Sequence, residues 1–82
     1  MKIEFVKTPN YEHYQIRVEG EGVGDVLMKL TGNVSFHPDG WKYSLSSYVD
    51  NFFSPAYVVQ LRTAANNFET VLNVTRRLKG KP

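Results

Sequence analysis

The sequence predicts an α+β fold: an antiparallel sheet of about four strands, connected as a β-meander, with one long C-terminal helix packed on one face. Two patterns predict it. Apolar and polar side chains alternate in short segments of residues 1–53, whereas residues 54–79 place apolar side chains three and four positions apart. The border between them is typical of a helix start, because the Ser54 hydroxyl can accept from an unpaired backbone N–H and Pro55 has no N–H to leave unpaired.

The length of 82 residues predicts a single domain, which we divide into a sheet part (1–53), a helix (54–79) and a frayed tail (80–82). Because the chain has no cysteine, disulfides and thiolate metal sites are excluded. No apolar run approaches the ~20 residues that a membrane-spanning helix needs. The start, Met1–Phe5, carries charges and no cleavage site, unlike a signal peptide. We therefore expect a cytoplasmic protein with no membrane partner.

The sheet part contains segments with the alternation of half-buried strands: Lys2–Thr8, Tyr11–Glu19, Val34–Phe36 and Trp41–Leu45. Between the last two, His37–Gly40 predicts a tight hairpin turn, since Pro38 presets φ and Gly40 tolerates positive φ. On the final strand Lys42, Ser44 and Ser46 point away from the core, and Tyr48 shares their parity. The sheet is thus predicted to have one apolar and one polar face.

Two segments leave alternatives open. We favour a strand at Val26–Leu30 over a short helix capped by Asp25 and ended by Gly32. In the C-terminal helix, Asn66-Asn67 is a candidate kink or break. Gly80 is typical of the residue that follows a helix end.

The helix is predicted to be amphipathic. Its apolar stripe consists of Tyr57, Leu61, Ala64, Ala65, Phe68, Val71, Leu72, Thr75 and Leu78. The opposite, solvated side consists of Arg62, Asn66, Glu69, Asn73, Arg76 and Arg77. Residues of this stripe and of the strands can together fill the core: Ile3, Phe5, Tyr14, Phe36, Trp41, Leu45, Phe68 and Leu72. Aromatic residues beyond that core are candidates for rims or contact surfaces: Tyr11, Tyr48, Phe52, Phe53 and Tyr57.

The sequence contains no catalytic signature, and we predict no enzyme activity, no cofactor and no metal. His13 and His37 lie on different elements without metal-ligand spacing. The glycines of Gly20–Gly24 resemble a phosphate-binding loop, but Asp25 stands where that motif requires its third glycine, and acidic residues surround the segment. We interpret this segment as an acidic hairpin loop.

Charge is divided unevenly along the chain. Residues 1–50 carry five basic and seven acidic side chains, whereas residues 51–82 carry five basic and one acidic. A basic C-terminal part attracts nucleic acid or an acidic protein surface. Cations near a helix C-terminus also offset the helix macrodipole, which is the structural alternative.

These observations define a candidate binding surface on the polar sheet face and the helix: Arg17, Lys29, Lys42, Tyr48, Arg62, Glu69, Arg76 and Arg77. We favour a small non-catalytic module that binds a larger protein or nucleoprotein complex. The alternative is a single-stranded nucleic-acid-binding protein that uses the basic helix end and the polar sheet face. The order of four strands and then a helix resembles that of transcriptional-coactivator (positive cofactor 4-like) single-strand DNA binders. A homodimer through edge strands is a further expectation.

The overall layout resembles that of small phage-encoded inhibitors of the anti-CRISPR type. The resemblance lies in the opening Met1-Lys2 strand, the Tyr14-x-Ile16-x-Val18 strand that ends near Gly20, the short cysteine-free chain and the terminal helix with Arg76-Arg77. It implies an inhibitor that occludes a host nuclease or its nucleic-acid path, acting in the host cytoplasm. No contact residue of such inhibitors is carried over to a position here.

Overall fold

The computed structural model describes residues 2–9, 11–19 and 31–80, and it confirms the predicted fold class. Antiparallel strands lie side by side in chain order: β1 (Lys2–Lys7), β2 (His13–Glu19), β3 (Gly32–His37) and β4 (Gly40–Leu45). They are followed by a short helix, α1 (Tyr48–Phe52), and the long helix α2 (Pro55–Gly80). The predictions for Val26–Leu30, the Gly20–Gly24 loop and Lys29 lie outside the described residues.

One sheet face is apolar because successive strand residues point to opposite sides. The register pairs Phe5 with Ile16 and Tyr14 with Val34, so apolar side chains of neighbouring strands meet on this face. Helix α2 packs against this face. The buried apolar residues come from both layers: Ile16, Val18, Val34, Trp41, Val49, Leu61 and Ala65.

Aromatic contacts fix α2 across the sheet. The Phe68 ring stacks on the Phe5 ring of β1, with centroids 4.1 Å apart and planes inclined by 5°. Its edge meets the Tyr14 ring of β2 at a centroid distance of 4.9 Å. Each such pair contributes about 0.5–1.5 kcal/mol beyond its buried area. The helix therefore reaches from β4 over the sheet to β1.

The start of α2 follows the predicted chemistry. The Ser54 hydroxyl accepts a hydrogen bond from the Tyr57 backbone N–H at 3.3 Å, and Pro55 is the first helical residue. The helix runs without interruption through Asn66-Asn67, which resolves the question of a break there. It includes Gly80, one residue beyond the predicted end.

The turn between β3 and β4 lies where the sequence predicted it, with His37 paired to Gly40. Gly40 has φ +129°, a region that favours glycine. A Cβ added there would lie 2.8 Å from Oδ1 of Asn73, so the turn and the helix approach each other closely.

Helix α2 closes the outer edge of β4 with two polar side chains. The Trp41 backbone N–H donates to Asn73 Oδ1 at 2.8 Å, and Asn73 Nδ2 donates to the Trp41 carbonyl at 3.1 Å. The Tyr43 N–H donates to Glu69 Oε2 at 2.7 Å. The expectation that Glu69 and Asn73 lie on the solvated side was wrong, because that side of the helix borders β4.

Several residues assigned to the core are exposed. Val71 and Leu78 are 60% and 69% exposed, and Phe36 is 42% exposed. With 26 residues, α2 is about 39 Å long, whereas a six-residue strand spans about 20 Å. The C-terminal turns therefore reach past the sheet. Val71 also lies roughly 120° around the helix from buried Ala65, on the outer side.

Tyr48 does not continue the last strand, as its parity had suggested. Strand β4 ends at Leu45, and Tyr48 begins α1. The Ser46 hydroxyl accepts a hydrogen bond from the Tyr48 N–H at 3.2 Å, which bends the chain out of the sheet. Buried Val49 then holds α1 against the core.

Candidate binding surfaces

An open groove lies between the C-terminal end of α2 and the ends of the strands beneath it. Its volume is about 580 Å³. We call it the C-terminal groove and define it by its lining: Glu12, Tyr14, Phe36, Trp41, Leu72, Thr75, Arg76 and Lys79. Its floor is aromatic, and one wall is basic.

The groove exists because the inward stripe of α2 changes character along its length. Leu61, Ala65, Phe68 and Leu72 follow one another at spacings of four, three and four, and they face the sheet. The same spacing continues to Arg76 and Lys79. Two long cationic side chains therefore follow the last apolar residue, at the point where the helix leaves the sheet.

The aromatic rings of the groove floor contact one another through Trp41. The Trp41 ring lies 5.6 Å from the Tyr14 ring and 5.5 Å from the Phe36 ring, measured between centroids. The Trp41 backbone is fixed by Asn73. The Arg76 guanidinium carbon lies 5.3 Å from the Phe36 ring centroid, within the range of a cation–π interaction. This contact places a planar cation beside a partly exposed ring.

The wall of the groove carries positive charge that no described carboxylate neutralises. The described ion pairs join Lys2 to Glu4, Lys42 to Asp39 and Arg62 to Asp50. Arg76, Arg77 and Lys79 take part in none of them and are exposed. Glu12 is the acidic residue of the lining. The groove thus presents two cations and one carboxylate.

A second surface lies on the outer side of α2. Val71, Val74 and Leu78 are 60%, 47% and 69% exposed, and their spacing of three and four aligns them along one helix face. We call these residues the outer ridge. Among the described residues, none packs over it as the sheet packs over the inner stripe.

The polar sheet face does not bring its predicted cations together. Arg17 and Lys42 lie four residues apart along the strands and two strands apart across the sheet, roughly 16 Å. Lys42 Nζ lies 2.8 Å from Asp39 Oδ2, and this hydrogen bond lowers the pKa of Asp39 and raises that of Lys42. Arg17 donates to the Gln15 side chain at 3.3 Å.

The remaining predicted residues are also dispersed. Arg62 lies about 21 Å along the helix from Arg76 and 3.9 Å from Asp50 of α1. Tyr48 is exposed at the start of α1, and Glu69 is engaged with β4. Of the predicted surface residues that the structure describes, only Arg76 and Arg77 therefore lie at one place, the C-terminal end of α2. Arg76 gains Lys79, Phe36 and Trp41 as fellow groove residues that the sequence had not assigned to a site.

A shallow recess on the polar face has a volume of about 540 Å³ and includes Thr8 and His13. The Thr8 hydroxyl lies 2.8 Å from His13 Nδ1. Within the described residues, no three histidine, aspartate or glutamate side chains group as metal ligands do. No helix in the described ranges is long and apolar enough to cross a bilayer.

Comparison with protein-family models, curated proteins and solved structures finds no match to this chain. The resemblance to anti-CRISPR-type inhibitors therefore stays a prediction.

Proposed function

We propose that this chain is a non-catalytic protein-binding module, an inhibitor or adaptor of the phage anti-defence type that docks on a larger nucleic-acid-processing complex. The observation that carries the proposal is the outer ridge. Its three aliphatic side chains lie on a helix that the sheet already holds in place, so binding requires little further ordering. Once bound, the chain would occlude the complex sterically, without any catalytic step.

Aliphatic side chains in a helical row favour a protein partner. A row at i, i+3 and i+7 fits a hydrophobic groove or a second helix, which is a common mode of protein recognition. Aliphatic side chains offer nucleic acid neither charge nor a stacking surface. The ridge thus supports protein binding independently of the basic residues near it.

Charge favours a partner other than a second copy. Arg77 and Lys79 lie in the last turn of α2, beside the ridge. Glu69 is the acidic residue of α2, and its carboxylate is engaged by the Tyr43 N–H. Two copies paired through their ridges would bring cations together without free carboxylates from α2. We therefore infer an apolar surface flanked by Asp or Glu on the partner.

The test compares two variants of α2, one with glutamine substitutions on the ridge and one with a glutamine substitution away from it, and neither changes the net charge. Val71→Gln with Leu78→Gln makes two of the three ridge side chains polar, and Val59→Gln is the control, since Val59 is 63% exposed on the same helix. The wild-type chain is used to capture its partner from lysate, and the purified partner is then titrated with all three chains by calorimetry. We expect the ridge variant to lose at least about tenfold in affinity, as for a hot-spot residue, and the control to bind like the wild type.

Equal affinity of the ridge variant and the wild type would contradict the proposal. So would a concentration-dependent dimer, seen by sedimentation, that the ridge substitutions abolish, because the ridge would then bind a second copy.

A further inference from the structure

We propose that the C-terminal groove binds single-stranded nucleic acid, with a base against its aromatic floor and phosphates on Arg76 and Lys79. This inference does not rest on the protein-docking role of the outer ridge, because none of the three ridge residues lines the groove. It keeps the basic helix end of the predicted nucleic-acid contact and replaces the polar sheet face with the apolar face that the helix covers.

The floor offers a stacking surface. Phe36 is 42% exposed although it belongs to the apolar face of the sheet, and Trp41 supports it from below at a centroid distance of 5.5 Å. The Arg76 guanidinium, 5.3 Å from the Phe36 centroid, is a second planar group on which a base can stack. Stacking on aromatic and guanidinium planes is the general mode of single-strand recognition.

The wall offers phosphate contacts. Arg76 and Lys79 both line the groove and have no described carboxylate partner, so their charges are available to an anion. Arg77 adds a third cation at the same helix end. The calculated charge of residues 51–82 is positive, which steers a polyanion to this end of the molecule.

A single strand fits this arrangement better than a duplex. In a duplex the faces of the bases are stacked on one another, so an aromatic floor is accessible only to an unpaired base. A basic surface without aromatic residues would serve both forms. The combination of Phe36 with Arg76 and Lys79 therefore selects for single strands.

The experiment uses the tryptophan in the floor as its reporter. Trp41 is the single tryptophan of the chain, so quenching of its fluorescence by a dodecamer of thymidylate reports binding in the groove. We expect quenching at low salt, weaker binding to a duplex of equal length, and an affinity that falls with salt. Because each phosphate contact contributes about −0.7 to the slope of log K against log salt, Arg76→Gln with Lys79→Gln should reduce the slope by about 1.4.

Phe36→Leu separates stacking from charge: it should weaken binding about tenfold while it leaves the salt slope unchanged. Arg62→Gln is the matched control, a cation removed from the same helix far from the groove, and it should bind like the wild type. The ridge variant Val71→Gln with Leu78→Gln should also retain binding.

Absence of quenching at low salt would overturn the proposal, as would equal affinity for the duplex or an equal loss in Arg62→Gln. Quenching by polyglutamate as strong as that by the oligonucleotide would also overturn it and would assign the groove to an acidic peptide. Circular dichroism of each variant checks that the fold is intact, and a variant that unfolds is replaced by Arg76→Lys, which keeps the charge and loses the planar group.

Discussion

At the scale of the residue, the Asn73 side chain makes the hydrogen bonds to β4 that a further strand of the sheet would otherwise make. Its amide accepts from the Trp41 N–H and donates to the Trp41 carbonyl, as a backbone peptide of a neighbouring strand would. The pair also fixes the backbone beneath the aromatic floor of the C-terminal groove. Asn73 therefore contributes both to stability and to the shape of a candidate site.

We predict that Asn73→Asp destabilises the protein by about 1–3 kcal/mol, because the Trp41 carbonyl loses its donor and meets a carboxylate oxygen instead. The matched control is Asn67→Asp, which makes the same chemical change at an exposed position of the same helix. Urea unfolding gives both free energies. A loss in the control as large as that in Asn73→Asp would show that helix charge, not the contact with Trp41, is responsible.

At the scale of the element, the two edge strands differ. On β4 the outward N–H groups of Trp41 and Tyr43 are satisfied by α2. On β1, the Thr8 N–H bonds to the His13 carbonyl of β2, and the alternation of the antiparallel ladder then turns the N–H groups of Ile3 and Phe5 outward. No described element pairs with that edge. In the described part of the chain, β1 is therefore the more open edge for the expected pairing of edge strands.

Hydrogen exchange should reveal this difference. We predict that the Trp41 and Tyr43 amides exchange slowly and that the Ile3 and Phe5 amides exchange fast, although all four lie on edge strands. Asn73→Ala should accelerate exchange at Trp41 more than at Tyr43, since Glu69 still serves Tyr43. Slow exchange at Ile3 and Phe5 in dilute monomer would mean that β1 is covered.

The elements themselves were predictable because their signals are local. Ser54 and Pro55 define the helix start through chemistry within one turn, and the alternation of β2 defines its two faces without reference to the rest of the chain. The side of α2 that meets β4 was not predictable in this way. It depends on where the helix lies across the sheet, so Glu69 and Asn73, which are polar, were assigned to solvent.

The candidate site was predictable only in part. Arg76 and Arg77 were identified from the basic helix end, but Phe36 was assigned to the core. Spacing alone could have linked Leu72 to Arg76 and Lys79 as one stripe. What it could not show is that Arg76 and Lys79 lie over the ends of the strands, where Phe36 is partly exposed and a groove is open.

At the scale of the whole molecule, one helix contributes to two different surfaces. Its inner stripe holds the sheet, and its outer ridge faces solvent beyond it. The molecule measures 47 × 26 × 19 Å, elongated as expected of a helix longer than the sheet that it covers. Binding and folding are thereby assigned to different faces of the same element.

This division predicts that a leucine-to-alanine substitution destabilises the protein strongly on the inner stripe and hardly at all on the outer ridge. Leu61→Ala should destabilise the whole domain by about 2–5 kcal/mol, because Leu61 is 1% exposed in the core. Leu78→Ala should change the free energy of unfolding by less than about 0.5 kcal/mol. Thermal unfolding of both variants is the measurement, and a large loss in Leu78→Ala would mean that the outer ridge is not a free surface.

The contacts that close β4 join residues 26 and 32 positions apart in the sequence. During synthesis on the ribosome the sheet emerges before Glu69 and Asn73 do. Until α2 is made, the edges of both β1 and β4 can therefore pair with a strand of another chain. The helix that shields β4 is translated after the sheet, so slow translation of α2 would lengthen the interval in which misassembly competes with folding.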